Sequence, residues 1–222
     1  MRHVHRPYLI ASLGAAVALG LTGCGSGLPP GASGDTPPSA VAPTGPGSPA
    51  PGYSGELIPF TFPNGPLSLQ YPLEWHAGLA EGGGMPQGSS TATLSDPQST
   101  NEVTVYLGKT ADAVSHPVSR TVFESEPVPG LSGQAAPAAN YSFYVDRMDG
   151  KPTYRMHLTA GAPAAGNSAA LDGIIRVGED VLVAEAHFTK PFASDDAAKA
   201  WLAGTEGQAF KALFLSMAYG GR

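Results

Sequence analysis

The chain has 222 residues, a net charge of −6 with neutral histidines, and a single cysteine. Because one cysteine cannot form an internal disulfide, the fold must be stabilised by its own core. The acidic balance argues against nucleic acid as a partner, and no stretch of the sequence indicates a cofactor.

The first 23 residues have the layout of a secretory signal peptide. A basic start, MRHVHR, precedes an apolar run at residues 8–21, and the small residues Thr22 and Gly23 follow. The run has 14 residues, fewer than the ~20 that a helix needs to cross the hydrocarbon core. The pattern therefore predicts export with removal of residues 1–23, which leaves 10 basic against 18 acidic side chains and a net charge of −8.

The cysteine stands directly after this signal. Leu21, Thr22, Gly23 and Cys24 resemble the bacterial lipobox, in which a tripeptide of this type precedes an acylated cysteine. The resemblance implies a diacylglycerol thioether on Cys24, and usually a further acyl chain on its amine. Since two acyl chains hold a protein stably on a bilayer, we expect a lipoprotein on the extracytoplasmic face of the cell membrane. The lipid bilayer is then its partner, through acylated Cys24; the alternative is an ordinary secreted protein with an incidental Cys24.

Residues 24–54 are predicted to form a flexible tether. Residues 25–54 contain 8 Pro and 7 Gly in 30 positions, and such a composition cannot bury enough apolar surface to offset the entropy of ordering. The reach of the tether lies between ~30 Å for a flexible coil and ~90 Å for polyproline II.

Residues 55–222 are predicted to form one folded domain that begins with strands. Apolar residues alternate with polar or small ones on both sides of the turn PNGP at 63–66, which predicts a β-hairpin. The same alternation marks residues 103–107 and predicts another strand. Further strands at 141–145, 154–158, 171–177 and 181–189 are interpreted as an antiparallel meander.

The end of the chain changes to helical periodicity. Ser194 is expected to cap a first helix, and Thr205 with Gln208 is expected to form a capping box for a second. An apolar stripe of the second helix should face the sheet, and Gly220 with Gly221 should end this helix; the stripe consists of Phe210, Leu213, Phe214 and Met217. The predicted fold class is α+β, a curved antiparallel sheet with C-terminal helices packed on one face.

The arrangement YPxxW, formed by Tyr71, Pro72 and Trp75, resembles the opening of PsbP-like domains. The order of an early aromatic strand, a curved sheet and a closing helix is also similar. The chain departs from that family at residues 78–100, which are rich in Gly, Ser and Thr where those domains often have a helix. The resemblance implies an accessory or binding role without catalysis, and it assigns no functional residue of that family to a position in this sequence.

No residue pattern predicts a catalytic or metal site. His157 and His187 are expected on the polar face, with the strand at 171–177 between their strands and ~10 Å between their side chains at a spacing of ~4.8 Å per strand. At that separation they cannot share a zinc ion, and we interpret them as solvated residues. The stretch GLSGQ at 130–134 lacks the last glycine and the setting of a nucleophile elbow. The acids Asp195 and Asp196 are interpreted as complements to a helix dipole.

Trp75, Trp201 and Phe210 are the candidate binding residues. The simplest interpretation places them in the core, and the alternative is an aromatic groove between sheet and helix. The sequence favours a non-catalytic accessory or ligand-binding module of the cell envelope, whose partner is an envelope protein or a small hydrophobic ligand. The alternatives are an assembly partner of a membrane protein complex and, less favoured, an envelope hydrolase.

Overall fold

The computed structural model describes residues 52–63, 65–81, 88–111, 117–168 and 173–220, all within one compact unit. The predicted signal peptide and lipobox, including Cys24, lie outside the described residues, as does the tether up to residue 51. The prediction for these segments, and the division of the chain into three parts, therefore stay predictions.

The described chain is an α+β fold of antiparallel sheets and two C-terminal helices. The helices are α1 (Asp195–Ala203) and α2 (Thr205–Leu215). The strands are β1 (Leu57–Thr61), β2 (Leu67–Pro72), β3 (His76–Glu81), β4 (Ser90–Ser95), β5 (Asn101–Gly108), β6 (Val118–Pro127), β7 (Ala135–Ala136), β8 (Ala139–Met148), β9 (Lys151–Ala160), β10 (Gly166–Ser168), β11 (Ile175–Val177), β12 (Asp180–Phe188) and β13 (Ala218–Tyr219).

The strands form a large and a small sheet. The large sheet is curved but not closed, and its order is β10-β6-β8-β9-β12-β5-β4-β3, with β11 pairing both β12 and β7. The small sheet has the order β1-β2-β13. The fold class expected from the sequence is therefore confirmed.

The first predicted hairpin is present as β1 and β2. Phe60 pairs with Leu69 in its ladder, and Leu67 and Leu69 are fully buried. Since side chains alternate between the two faces of a strand, the apolar residues of β2 share one face. That face lies against α2.

Helix α2 is buried from both sides. The predicted stripe is buried, but so are the residues between its members, including Lys211 and Ala212. Strand β2 of the small sheet packs against α2, and β6 of the large sheet binds Lys211. The expectation that the helix continues to Gly220 is wrong, because α2 ends at Leu215 and the chain then forms β13 beside β2.

Of the two predicted N-terminal helix caps, the cap of α1 is present and the cap of α2 is not. The Ser194 side chain accepts a hydrogen bond from the Ala197 backbone N–H at 3.1 Å, which confirms the first cap. The predicted capping box is wrong, because Gly204 is the N-cap of α2 and no side chain caps it. Gln208 instead donates to the Leu202 carbonyl oxygen at 2.8 Å.

The predicted meander is correct in its two hairpins, β8–β9 and β11–β12, and wrong in placing the strand at 171–177 between the strands of His157 and His187. Strands β8 and β9 pair along their full length, but β10 then lies beside β6 at the far edge of the sheet. Strand β11 pairs only the first three residues of β12, so it does not separate β9 from β12. His157 consequently lies directly opposite Glu185.

Candidate functional site

The three candidate binding residues lie in one aromatic cluster between the large sheet and the helices. Trp75 contacts Phe210 with ring centroids 4.6 Å apart, and Trp201 contacts Phe210 at 5.5 Å. Trp75 and Phe210 are buried, and Trp201 is half-buried. The structure thus brings the three together inside the core, and a ligand groove lined by all three stays a prediction.

Trp201 is held in place at its polar end. Its indole N–H donates to Glu206 Oε2 at 2.8 Å, and Glu206 Oε1 accepts a hydrogen bond from Asn101 at 2.7 Å. A buried tryptophan usually requires a partner of this kind. The contact joins α1, α2 and β5, and it fixes the orientation of the indole ring.

The cluster continues to an open cleft at the start of β9 and the end of β12. Phe188 and Phe192 both contact Trp201, with ring centroids 5.1 and 5.4 Å away, and Phe192 also contacts Tyr154. The cleft has a volume of about 300 Å³, and Thr153 and His187 are among its polar lining residues. This volume lies at the lower end of the range of small-ligand sites.

An ion pair anchors the start of α1 beside this cleft. Arg147 donates to Asp195 Oδ1 at 2.6 Å, and the Tyr154 hydroxyl donates to the same oxygen at 3.0 Å. The hydrogen bond from Arg147 lowers the pKa of Asp195 below its usual value. Asp195 therefore does more than complement the helix dipole, whereas the Asp196 side chain is exposed.

A second ion pair fixes α2 to β6. The Lys211 ammonium group lies 2.5 Å from carboxylate oxygens of both Glu124 and Glu126 and 5.8 Å from the ring centre of Tyr141. Burial alone would lower the pKa of Lys211, but the two carboxylates outweigh it and the pKa is raised. The two carboxylates thus compensate the charge of a lysine that is buried.

The opposite face of the large sheet holds a buried polar network. Arg120 binds both carboxylate oxygens of Asp146, at 2.6 and 2.8 Å, and its guanidinium lies 4.0 Å from the ring centre of Tyr144. A hydrogen bond of 2.5 Å joins Tyr144 Oη and His157 Nε2. Two-point contact of this kind between an arginine and a carboxylate is strong and directional, so the network fixes β6, β8 and β9 relative to one another.

His157 is therefore not the solvated residue expected from the sequence. It is 7% exposed, and burial lowers its pKa to about 4. Glu185 and Asp146 favour the charged imidazole, whereas Arg155 and Arg120 oppose it. The imidazole is consequently neutral near pH 7. The expectation of exposure is correct for His187.

The described residues contain neither a membrane-spanning helix nor a cluster of metal-ligating side chains. Neither of the two described helices is long and apolar enough to cross a membrane. Within the same residues, no group of three or more His, Cys, Asp or Glu side chains is placed to hold a metal ion.

Comparison with known proteins identifies no relative of this chain. No protein-family model matches the chain, and neither a curated protein nor a solved structure matches it significantly. The resemblances to the lipobox and to PsbP-like domains therefore rest on the quoted residues alone.

The sequence does not reveal the residues that shape the cleft. Phe192 stands in a short connection after Pro191, where no periodicity indicates its environment. Arg147 and Asp195 are 48 positions apart, and only the tertiary fold brings them into contact.

Proposed function

We propose that this protein is a lipid-anchored accessory module of the cell envelope that binds a small ligand without catalysing a reaction. The observation that carries the location is Cys24, placed directly after the tripeptide Leu21, Thr22 and Gly23 at the end of an apolar segment. Acyl chains on this sulfur would hold the protein on the outer face of the membrane.

The fold supports a binding role. The cleft beside Tyr154 and Phe192 combines partly exposed aromatic rings with polar groups, which is the usual composition of a small-molecule site. Its polar neighbours Arg147 and Asp195 bind each other, and they hold α1 in place. Tyr154, which lines the cleft, donates to the same Asp195 oxygen, so this ion pair also holds one wall of the cleft, and a site that is already ordered needs little ordering when a ligand binds.

Replacement of the acylated residue tests the location. We expect Cys24→Ser to move the protein into the soluble fraction or to stall its maturation, because the hydroxyl group cannot form the thioether. Membrane fractionation and mass spectrometry of the native N-terminus provide the measurement. Ser26→Ala, two positions further on, is the matched control and should stay acylated. A Cys24→Ser protein that is processed normally and remains in the membrane would contradict the proposal.

A second candidate function is that of an assembly partner in a membrane protein complex. Strand β3 favours it, because β3 is at the edge of the sheet formed by the described strands, is exposed along its whole length and carries Leu79 at 42% exposure. Unpaired edge strands are templates for pairing with another chain. Purification of the lipidated protein from its own membrane separates the two functions, since a stoichiometric protein supports assembly and a co-purified small molecule supports ligand binding.

A further inference from the structure

The ladder between β9 and β12 stops where the cleft begins. Among the described residues, the two strands pair at one position, Glu185 with His157. Strand β9 nevertheless continues its pairing with β8 as far as Lys151, and β12 continues its pairing with β5 as far as Phe188. Residues 151–156 and 186–188 thus form two strand edges on opposite sides of a fork within the sheet.

Phe192 explains why the sheet forks. If the antiparallel register continued, Tyr154 would lie opposite Phe188, and directly opposed residues have Cβ atoms about 4.5–5.5 Å apart. The ring of Phe192 instead packs against both, with centroid distances of 5.2 Å to Tyr154 and 5.0 Å to Phe188. We interpret this ring as a wedge that keeps the two strand ends apart.

The fork presents backbone hydrogen-bonding groups on two sides. Alternate residues of an antiparallel strand direct both the N–H and the C=O group to the same neighbour. Some residues of each edge therefore direct these groups into the fork. Beyond its paired residue Glu185, strand β12 continues to Phe188, so the stretch of the fork that has a strand on both sides is about 10 Å long at ~3.4 Å per residue. This length matches about three residues of an extended peptide.

The side chains of the fork differ on its two faces. Tyr154, Phe188 and Phe192 form an aromatic surface on the side of the helices. On the other face, Arg155 and Glu185 form an ion pair of 2.8 Å at the closed end of the fork. An extended ligand whose central side chain is apolar and whose flanking side chains are polar would match both faces, since successive side chains of a strand point to opposite sides.

We propose that the fork between β9 and β12 is a binding site for a short extended peptide segment with an apolar central residue. The peptide binds by completing the interrupted ladder, as in other modes of strand addition. This inference rests on the ligand-binding role proposed above and names its ligand class. The release of Cys24→Ser from the membrane reports on the anchor alone, so a failure of the proposed location and a failure of the peptide site can be told apart.

Hydrogen exchange measured by mass spectrometry on the full chain in detergent tests the proposal. The probe is acetyl-Thr-Phe-Thr-amide, and the control probe is the same peptide with a methyl group on the backbone nitrogen of each of its three residues, which removes their N–H donors. At a probe concentration four times its dissociation constant, we expect amides that face the fork in 151–156 and 186–188 to exchange about five-fold more slowly. The methylated peptide should have no such effect. Unchanged exchange with the first probe, or equal slowing by both, overturns the proposal.

A variant of the wedge adds a second measurement. Phe192→Ala should abolish the slowing by the probe, and the amides of 153–155 should become protected without a probe as the ladder closes. Phe60→Ala is the control, because Phe60 is a partly buried phenylalanine of the small sheet and its loss should leave the response unchanged. A Phe192→Ala protein that responds like the unaltered chain also overturns the proposal. Even if this variant does not fold, the comparison of the two peptides on the unaltered chain still tests the proposed peptide site.

Discussion

Replacement of His157 by Gln should reduce the loss of stability in acid. The pKa of the buried imidazole is about 4, whereas an imidazole in the unfolded chain has an ordinary value of about 6.5. Between these two values the unfolded chain binds a proton that the folded chain does not bind. The free energy of unfolding therefore falls as the pH is lowered through this window.

The magnitude follows from the two pKa values. Transfer from pH 7.5 to pH 4.5 should lower the free energy of unfolding by ~2.5 kcal/mol through His157 alone. Other groups titrate in both proteins, so the quantity of interest is the difference between the unaltered chain and His157→Gln. Glutamine retains a polar group beside Tyr144 but does not titrate.

The assay is guanidinium unfolding of the full chain in detergent at the two pH values, followed by tryptophan fluorescence. Trp75 and Trp201 both lie in the aromatic cluster, so their emission reports the loss of the core. His187→Gln is the matched control, because His187 is exposed and its replacement should leave the acid sensitivity unchanged. Equal losses in the unaltered chain and in His157→Gln would refute the reasoning.

Two further substitutions test the packing of α2. Lys211→Met should lower the free energy of unfolding by about 1–2 kcal/mol, because two partly exposed carboxylates lose their common partner. Lys199→Met, an exposed lysine of α1, is the control and should change it by less than about 0.5 kcal/mol; similar effects of the two variants would contradict the assigned role. Gly207→Ala should cost about 3 kcal/mol or more despite the better helix propensity of alanine, because the new Cβ would lie 2.4 Å from Leu202 Cα. Gly78→Ala meets its nearest atom at 4.0 Å, and its unfolding midpoint should differ little from that of the unaltered chain; a well-tolerated Gly207→Ala would show that the α1–α2 junction can shift.

Local sequence patterns predict the strands that have one apolar and one polar face. In β5 and β12 the alternating apolar residues are buried on one face, so the period of two is visible in the sequence. The pattern fails for β3, which is exposed on both faces. It also fails for β6, because a register shift between Val122 and Glu124 interrupts the alternation.

The sequence by itself determines the α+β class, the first hairpin and the first helix cap, and it predicts the signal and the anchor at Cys24. These features depend on residues that are close together in the sequence, so their spacing can be read from it. Only the tertiary structure decides that His157 is buried, that Lys211 binds two glutamates, and that Phe192 packs against both Tyr154 and Phe188. Each of these depends on residues distant in the chain that become neighbours when the strands take an order that hydrophobic periodicity does not encode.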